Sequence, residues 1–392
     1  MAEIRPVGID QTTGQQRSVE AEDSVVDNIG SQVYLSINSG SDFAGSFSKI
    51  QALHPWGEPV LLETPASSPT GVGRGSGWSP GGEFFAVSSN TPPYLDIYQR
   101  SGINFFRLPD PSSLPNGQGR RLQWSSDGRF LSIVFNAVPY FAVYEREGST
   151  FTRLPTPASI PAFNVQGVAM SENTEFVTVA GQASSPNNII FYQRDGTTFT
   201  RLPNPASQPT GPMLGTVWSP DGKIVTFTGF NTPYIFNYQN NGDSTFTLLP
   251  SPASLPTDVG RPPAWSPDGK YLALGQDSSP FIRIYQRSGT TLTLLPDPAS
   301  VPNSLALVAG WSPDGNYLCF GTNIAPSIFI YQRNGDEFTL LDAPASLPPI
   351  SGNGRFMWSP DQQFIGMATG AAPYVVFYQT NASMPNSGVV TK

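Results

Sequence analysis

Apolar residues in this chain come in short runs broken at close intervals by Gly, Pro, Asp and Ser. One unit of the pattern can be read whole from residue 265: Trp-Ser-Pro-Asp-Gly, an apolar run at 271–274, a turn through Asp277 and Pro280, an apolar run at 281–286, a Ser288-Gly289 turn and a last run at 291–295. Runs of this length bounded by turn residues have the signature of strands, not helices. The unit therefore predicts four short β-strands over residues 262–265, 270–275, 281–286 and 291–295. Gly in the intervening turns is free to take positive φ, and Pro sets its own.

The unit recurs. Its first residue falls at Trp78, Trp124, Met170, Trp218, Trp265, Trp311 and Trp358, spaced 46 to 48 residues apart. A Tyr-Gln-Arg-like ending marks the third strand at Tyr98, Tyr144, Tyr192, Tyr238, Tyr285, Tyr331 and Tyr378. After the fourth strand comes Leu-Pro-x-Pro-Ala-Ser-x-Pro, complete around Pro155, Pro203, Pro250 and Pro296 and altered around Pro109 and Pro344. Four strands at a period in the forties predict the blades of a propeller. The last repeat supplies three strands, whereas residues 59–63, just before an early copy of the Pro-Ala-Ser phrase at 65–67, form an orphan fourth strand. Pairing the two closes the ring and removes its ragged edge. The expectation is an all-β, seven-bladed β-propeller over residues 44–380, its N-terminal strand closing the last blade. An extended arm over residues 1–43 precedes it, and a polar tail over 381–392 follows.

The phrase Val-Trp-Ser-Pro-Asp-Gly-Lys at 217–223, followed by alternating strands, resembles WD-repeat propellers over roughly residues 58–380. The Gly-His pair and Trp-Asp ending of that family are absent, so its hydrogen-bonded tetrad does not carry over. Proteins of that family are mostly interaction platforms, and fold by itself does not give function.

Composition narrows the chemistry. The chain of 392 residues carries a formal charge of −8 and has 38 Gly and 40 Pro, which suits many turns and few helices. With no basic run interleaved with aromatics, a nucleic-acid groove is not expected. His54 is the single histidine and Cys319 the single cysteine. An internal disulfide is therefore excluded, a zinc site is not expected, and no metal or other cofactor is called for. No apolar stretch has signal-peptide or membrane-spanning length, so synthesis in the cytoplasm is expected.

The arm reads Arg5-Pro6-Val7-Gly8-Ile9-Asp10, a turn to Gly14, then Arg17 and an acidic step before Asp23-Ser24-Val25-Val26. This run resembles the N-termini of tailed-bacteriophage virion proteins such as head and tail fibres. The resemblance implies that Arg5, Pro6, Val7, Gly8, Ile9, Asp10, Gly14 and Arg17 attach a distal domain to the particle, with capsid or tail proteins as partners and the virion as location. A leader without structure is the alternative reading of the same residues.

Propeller enzymes gather carboxylates, His or a metal where the inner strands meet. The five residues before each marker contain no Asp, Glu or His, so general acid–base chemistry at the axis lacks its usual groups. They do contain Arg74, Arg120 and Arg261, four residues before the marker, and Arg121 and Arg355, three before it. A guanidinium presents a planar fork of donors to carboxylates and sulfates. These arginines either seat an anionic sugar or a partner's acidic side chain at the channel mouth, or cap loop carbonyls and pair with neighbours such as Asp258. Tyr94, Tyr140 and Tyr234, in loops beginning at Asn90, Asn136 and Asn231, either offer sugar or protein contacts at the same mouth or pack. Asp127, Asp221, Asp268, Asp314 and Asp361 recur at one turn position and read as turn residues.

Three functions are thus on the table. The leading expectation is a non-enzymatic phage virion protein, an arm-anchored propeller serving as decoration or as a host-adsorption module that contacts a surface glycan or protein. A cytoplasmic bacterial interaction scaffold is the alternative, and a propeller hydrolase or lyase the third.

Overall fold

The computed structural model describes residues 59–183, 187–343 and 356–380. The arm, the lead-in at 44–58, the tail, Arg355 and the Pro344 loop lie outside the described residues. Val60–Gln379 forms one compact unit of seven four-stranded antiparallel sheets, and no described residue is helical. The inner strands touch in cyclic order, each blade packing on the next and the last on the first. The chain is a seven-bladed β-propeller.

Blade one shows the pattern, with strands Gly73–Trp78, Phe84–Ser89, Leu95–Ser101 and Asn104–Arg107 running from the axis outward. In blade five the strands are Ala264–Trp265, Tyr271–Gly275, Ile282–Ser288 and Thr291–Leu294, close to the expected bounds. The third begins one residue late because Phe281 sits at a φ of 66° and belongs to the turn. The orphan strand closes the ring as its pattern predicts. Val60–Leu61 lies antiparallel to Val375–Gln379, with Val60 opposite Gln379 and Leu61 opposite Tyr378, and the Leu62 amide extends the ladder to the Phe377 carbonyl at 2.8 Å.

Burial follows position in the blade. Second strands such as Phe84–Ser89 and Phe130–Phe135 are buried at every residue, since neighbouring blades cover both faces. Fourth strands such as Thr150–Arg153 bury only their alternate Phe, because one face meets solvent. The apolar clusters lie between blades: Trp78, Phe85 and Phe105 of blade one pack with Phe364 and Phe377 of blade seven. Each such aromatic contributes about 1.5–3 kcal/mol on burial.

Three polar ties repeat around the ring. The first belongs to the Tyr of the third strand, which is fully buried and donates its hydroxyl to a Ser carbonyl in the loop entering its own blade. Tyr98 reaches Ser67 at 3.0 Å, Tyr144 reaches Ser113 at 2.8 Å, Tyr192 reaches Ser159 at 2.9 Å and Tyr238 reaches Ser207 at 2.8 Å. Tyr285 and Tyr331 do the same to Ser254 and Ser300. Burial pushes the Tyr144 hydroxyl up to about 12, so it stays a donor at neutral pH.

The second tie is the Ser after each marker residue, which accepts from the amide five residues on, as Ser125 does from Phe130 at 2.8 Å, and in the five blades with a turn Asp donates to it, as to Asp127 at 2.5 Å. The third, in three blades, runs from the marker Trp to the preceding inner strand: Trp124 Nε1 donates to the Gly77 carbonyl at 3.1 Å, Trp78 to Met357 and Trp311 to Ala264, whereas Nε1 of Trp218 and of Trp265 has no hydrogen-bond partner among the described residues.

Removing one buried donor leaves its acceptor carbonyl unpaired, at a cost of about 1–3 kcal/mol. Tyr144→Phe is expected to lose stability of that order in urea unfolding. Phe106→Ser, on a side chain 58% exposed, is expected to change it by less than about 0.5 kcal/mol.

Candidate functional site at the channel mouth

The inner strands do not pair evenly with their neighbours. The register shifts between Gly73 and Gly75, Gly119 and Leu122, Val165 and Gly167, Met213 and Gly215, and Ala306 and Val308. A bulge leaves one residue out of the ladder and re-aims its side chain. The residues so displaced are Arg74, the Arg120-Arg121 pair, Gln166, Leu214 and Leu307. Arg261 holds the matching place in blade five, next to the Gly260–Gln276 bridge. The arginines found by counting back from the marker are thus bulge residues, a feature no apolar pattern announces in so Gly-rich a strand.

The second-to-third-strand loops and the entering loops meet at this same mouth. The Asn90 amide donates to the Val72 carbonyl, the Asn136 amide to Gln118, and the Asn116 side chain to Val138.

The arginines divide into two kinds. Arg261 grips Asp277 in a two-point fork, Nε to Oδ1 at 2.5 Å and Nη2 to Oδ2 at 2.7 Å. Its partner is Asp277, not the neighbouring Asp258, whose carboxylate is turned onto the Val259 amide at 2.7 Å. Arg74 and Arg120 are different. The Nε of each is buried with no hydrogen-bond partner among the described residues. The two stand at the bulges of adjacent blades, and burial, and after it the charge of Arg74, lower the pKa of Arg120. Arg121 stands beside them on the bulge of blade two. In blade three the same position is Gln166, 9% exposed, whose Nε2 is likewise buried and unpartnered.

Tyr94, Tyr140 and Tyr234 close the mouth loops instead of opening a strand. Each is half-buried at a φ of 64° to 69° and donates its amide three residues back, Tyr94 to Thr91, Tyr140 to Ala137 and Tyr234 to Asn231. The Tyr94 and Tyr234 carbonyls lie so close to Gly119 and Gly260 of the next blade that a Cβ there would come within 2.7 and 2.6 Å. These backbones therefore serve blade packing, and Tyr140 also packs on the core.

The turn acids are turn residues. Asp221 accepts from Ser219 Oγ at 2.6 Å and the Lys223 amide at 3.2 Å, and Arg287 of the next blade binds both its oxygens. Arg333 joins Asp268, and Arg100 joins Asp361, in the same way across blades. One acid escaped the sequence reading. Asp96, 1% exposed, sits in the third strand of blade one where other blades carry Ala142, Ile190 or Phe236. Burial raises its pKa against the pull of Arg107, which binds it at 2.6 Å. The interrupting Asp was its sequence signal. It lies in the blade body, away from the axis.

At the other end of the inner strands a cavity of about 260 Å³ is lined by Trp78, Gln123, Trp124, Met170 and Glu172 among others, with Glu172 its single carboxylate. Among the described residues no group of three or more His, Cys, Asp or Glu is placed to hold a metal. The Cys319 thiol is fully buried, and burial pushes it up to about 12.

No family profile and no curated protein sequence matches the chain. Solved structures do. Hydrazine synthase from Kuenenia stuttgartiensis superposes with a TM-score of 0.60 at 15% identity, covering 82% of this chain and 99% of that one. A functionally unknown protein from Desulfotomaculum acetoxidans gives 0.57 at 14% identity, covering 71% and 87%. At such identities the likeness is one of fold.

The turn acids tie stability to pH. Burial opposes ionisation of Asp221, but its bonds to Arg287, Ser219 and the Lys223 amide outweigh burial and bring its pKa from 3.8 down to about 2. A depressed acid pKa stabilises the folded chain above the unfolded value, and that contribution disappears as pH falls through the folded one. Asp221→Asn is therefore expected to lower stability at neutral pH and to flatten its fall between pH 3.8 and about 2, read by urea unfolding across that range.

Proposed function

We propose that this chain is a non-enzymatic virion protein of a tailed phage, a propeller carried on the particle by its arm as decoration or as a host-adsorption module. The virion half of the reading rests on the Pro6-to-Gly14 run of the arm and its resemblance to phage fibre N-termini. The binding half rests on one observation at the mouth. Among the described residues the buried groups there left without partners are the donors Arg74 Nε, Arg120 Nε and Gln166 Nε2 together with amide oxygens such as Asn90 Oδ1, while the turn carboxylates are engaged in turns and ion pairs. Donors without an accompanying general base suit recognition better than proton transfer. The closing strand Val60–Leu61 is the outermost of its blade, so the chain joins the ring at the edge farthest from the axis.

Mass spectrometry and immunogold labelling of purified phage particles test the reading, with a chain lacking residues 1–43 as the comparison. The full chain is expected on the particle and the shortened one absent from it, with its ring still folded. Recovery of the full chain solely from soluble cell extract contradicts the virion reading and favours a cytoplasmic interaction scaffold.

A further inference from the structure

We propose that Arg74, Arg120 and Gln166 form a carboxylate-binding site at the channel mouth, suited to the acid group of an acidic sugar. The three occupy the bulge of three consecutive blades whose inner strands pack side by side, on one arc of the mouth. Their unpartnered buried atoms, Arg74 Nε, Arg120 Nε and Gln166 Nε2, are all N–H donors. A buried guanidinium edge with no acceptor is costly, and two of them side by side repel. A bound carboxylate answers both costs with charge-assisted bonds.

Blade five holds the same arrangement already filled. Arg261 uses its Nε edge, the edge left over in Arg74 and Arg120, to hold the Asp277 carboxylate in a planar fork. The pairings Gly260–Gln276, Gly73–Ser89 and Gly119–Phe135 make Asp277, Asn90 and Asn136 equivalent positions, each one residue past the pair. Where blade five supplies a carboxylate, blades one and two supply a neutral amide. No described residue supplies the acid that the blade-one and blade-two arginines are shaped for, and the carboxylate that Arg261 holds in blade five makes a carboxylate the expected occupant.

The site rests on the binding reading above. Detection on the particle does not depend on it, so each can fail without the other. Calorimetric titration and thermal unfolding of the full chain at low ionic strength, with glucuronate, sulfate and a chloride-matched control, test it. Glucuronate is expected to bind and to raise the Tm of the natural chain above the chloride control. The variant carrying Asn90→Asp and Asn136→Asp, which supplies internal carboxylates, is expected to be at least as stable without ligand and to bind glucuronate about tenfold or more weakly. Arg74→Gln with Arg120→Gln is expected to lose binding while remaining folded. Absence of glucuronate binding by the natural chain, or unchanged binding by the double Asp variant, overturns the site. Tighter binding of sulfate than of glucuronate overturns the carboxylate assignment.

Discussion

The ring depends on buried tyrosine hydroxyls that each hold a loop carbonyl at the junction between blades. A β-sheet blade has two apolar faces, and stacking blades satisfies both, but apolar contact does not choose a register or a radius. The Tyr-to-Ser bond does. Tyr98, Tyr144, Tyr192, Tyr238, Tyr285 and Tyr331 each fix the loop that carries the chain into their blade, and so fix where the next inner strand begins. The acceptor is a backbone carbonyl, which explains why the Pro-Ala-Ser phrase recurs: it shapes the loop that presents it.

A ring fixed in this way can vary its mouth without altering its body. The bulges of five inner strands lift one residue, or in blade two a pair, out of the ladder, and the residue chosen differs from blade to blade: Arg, Gln or Leu. The opposite turns are more uniform, because there Asp closes its own turn and in several blades takes an Arg from the next. The likeness to solved structures at about 15% identity is one of fold, and fold by itself does not give function. Function in this protein is therefore sought in the bulge residues and the loops beside them.

Much of the fold was legible because it depends on local pattern repeated at a fixed period. The early copy of the Pro-Ala-Ser phrase gave away the closure by Val60–Leu61, and the turn acids were read correctly from their recurrence at one turn position. Less of the site was legible. Counting back from Trp found Arg74, Arg120 and Arg261, but not that Arg261 is already bound and the other two are not. That distinction rests on whether the residue across the ladder is Asp277 or an Asn, which in turn depends on a bulge. Bulges are set by strand pairing, and Gly-rich inner strands such as Gly73–Trp78 carry no alternation from which to read them. Asp96 was missed for a different reason, since its Arg107 partner lies on the next strand and joins it only once the sheet forms.

A ring closed in this way unfolds cooperatively, with the strand Val60–Leu61 as much a part of it as any other. Native-state hydrogen exchange of the amides of Leu62, Tyr378 and Gln379, compared with those of blade four, tests this most directly. The account predicts that the two blades exchange together, in one global opening. Early exchange of the closing strand, with blade four still protected, would contradict it and make the propeller an open array.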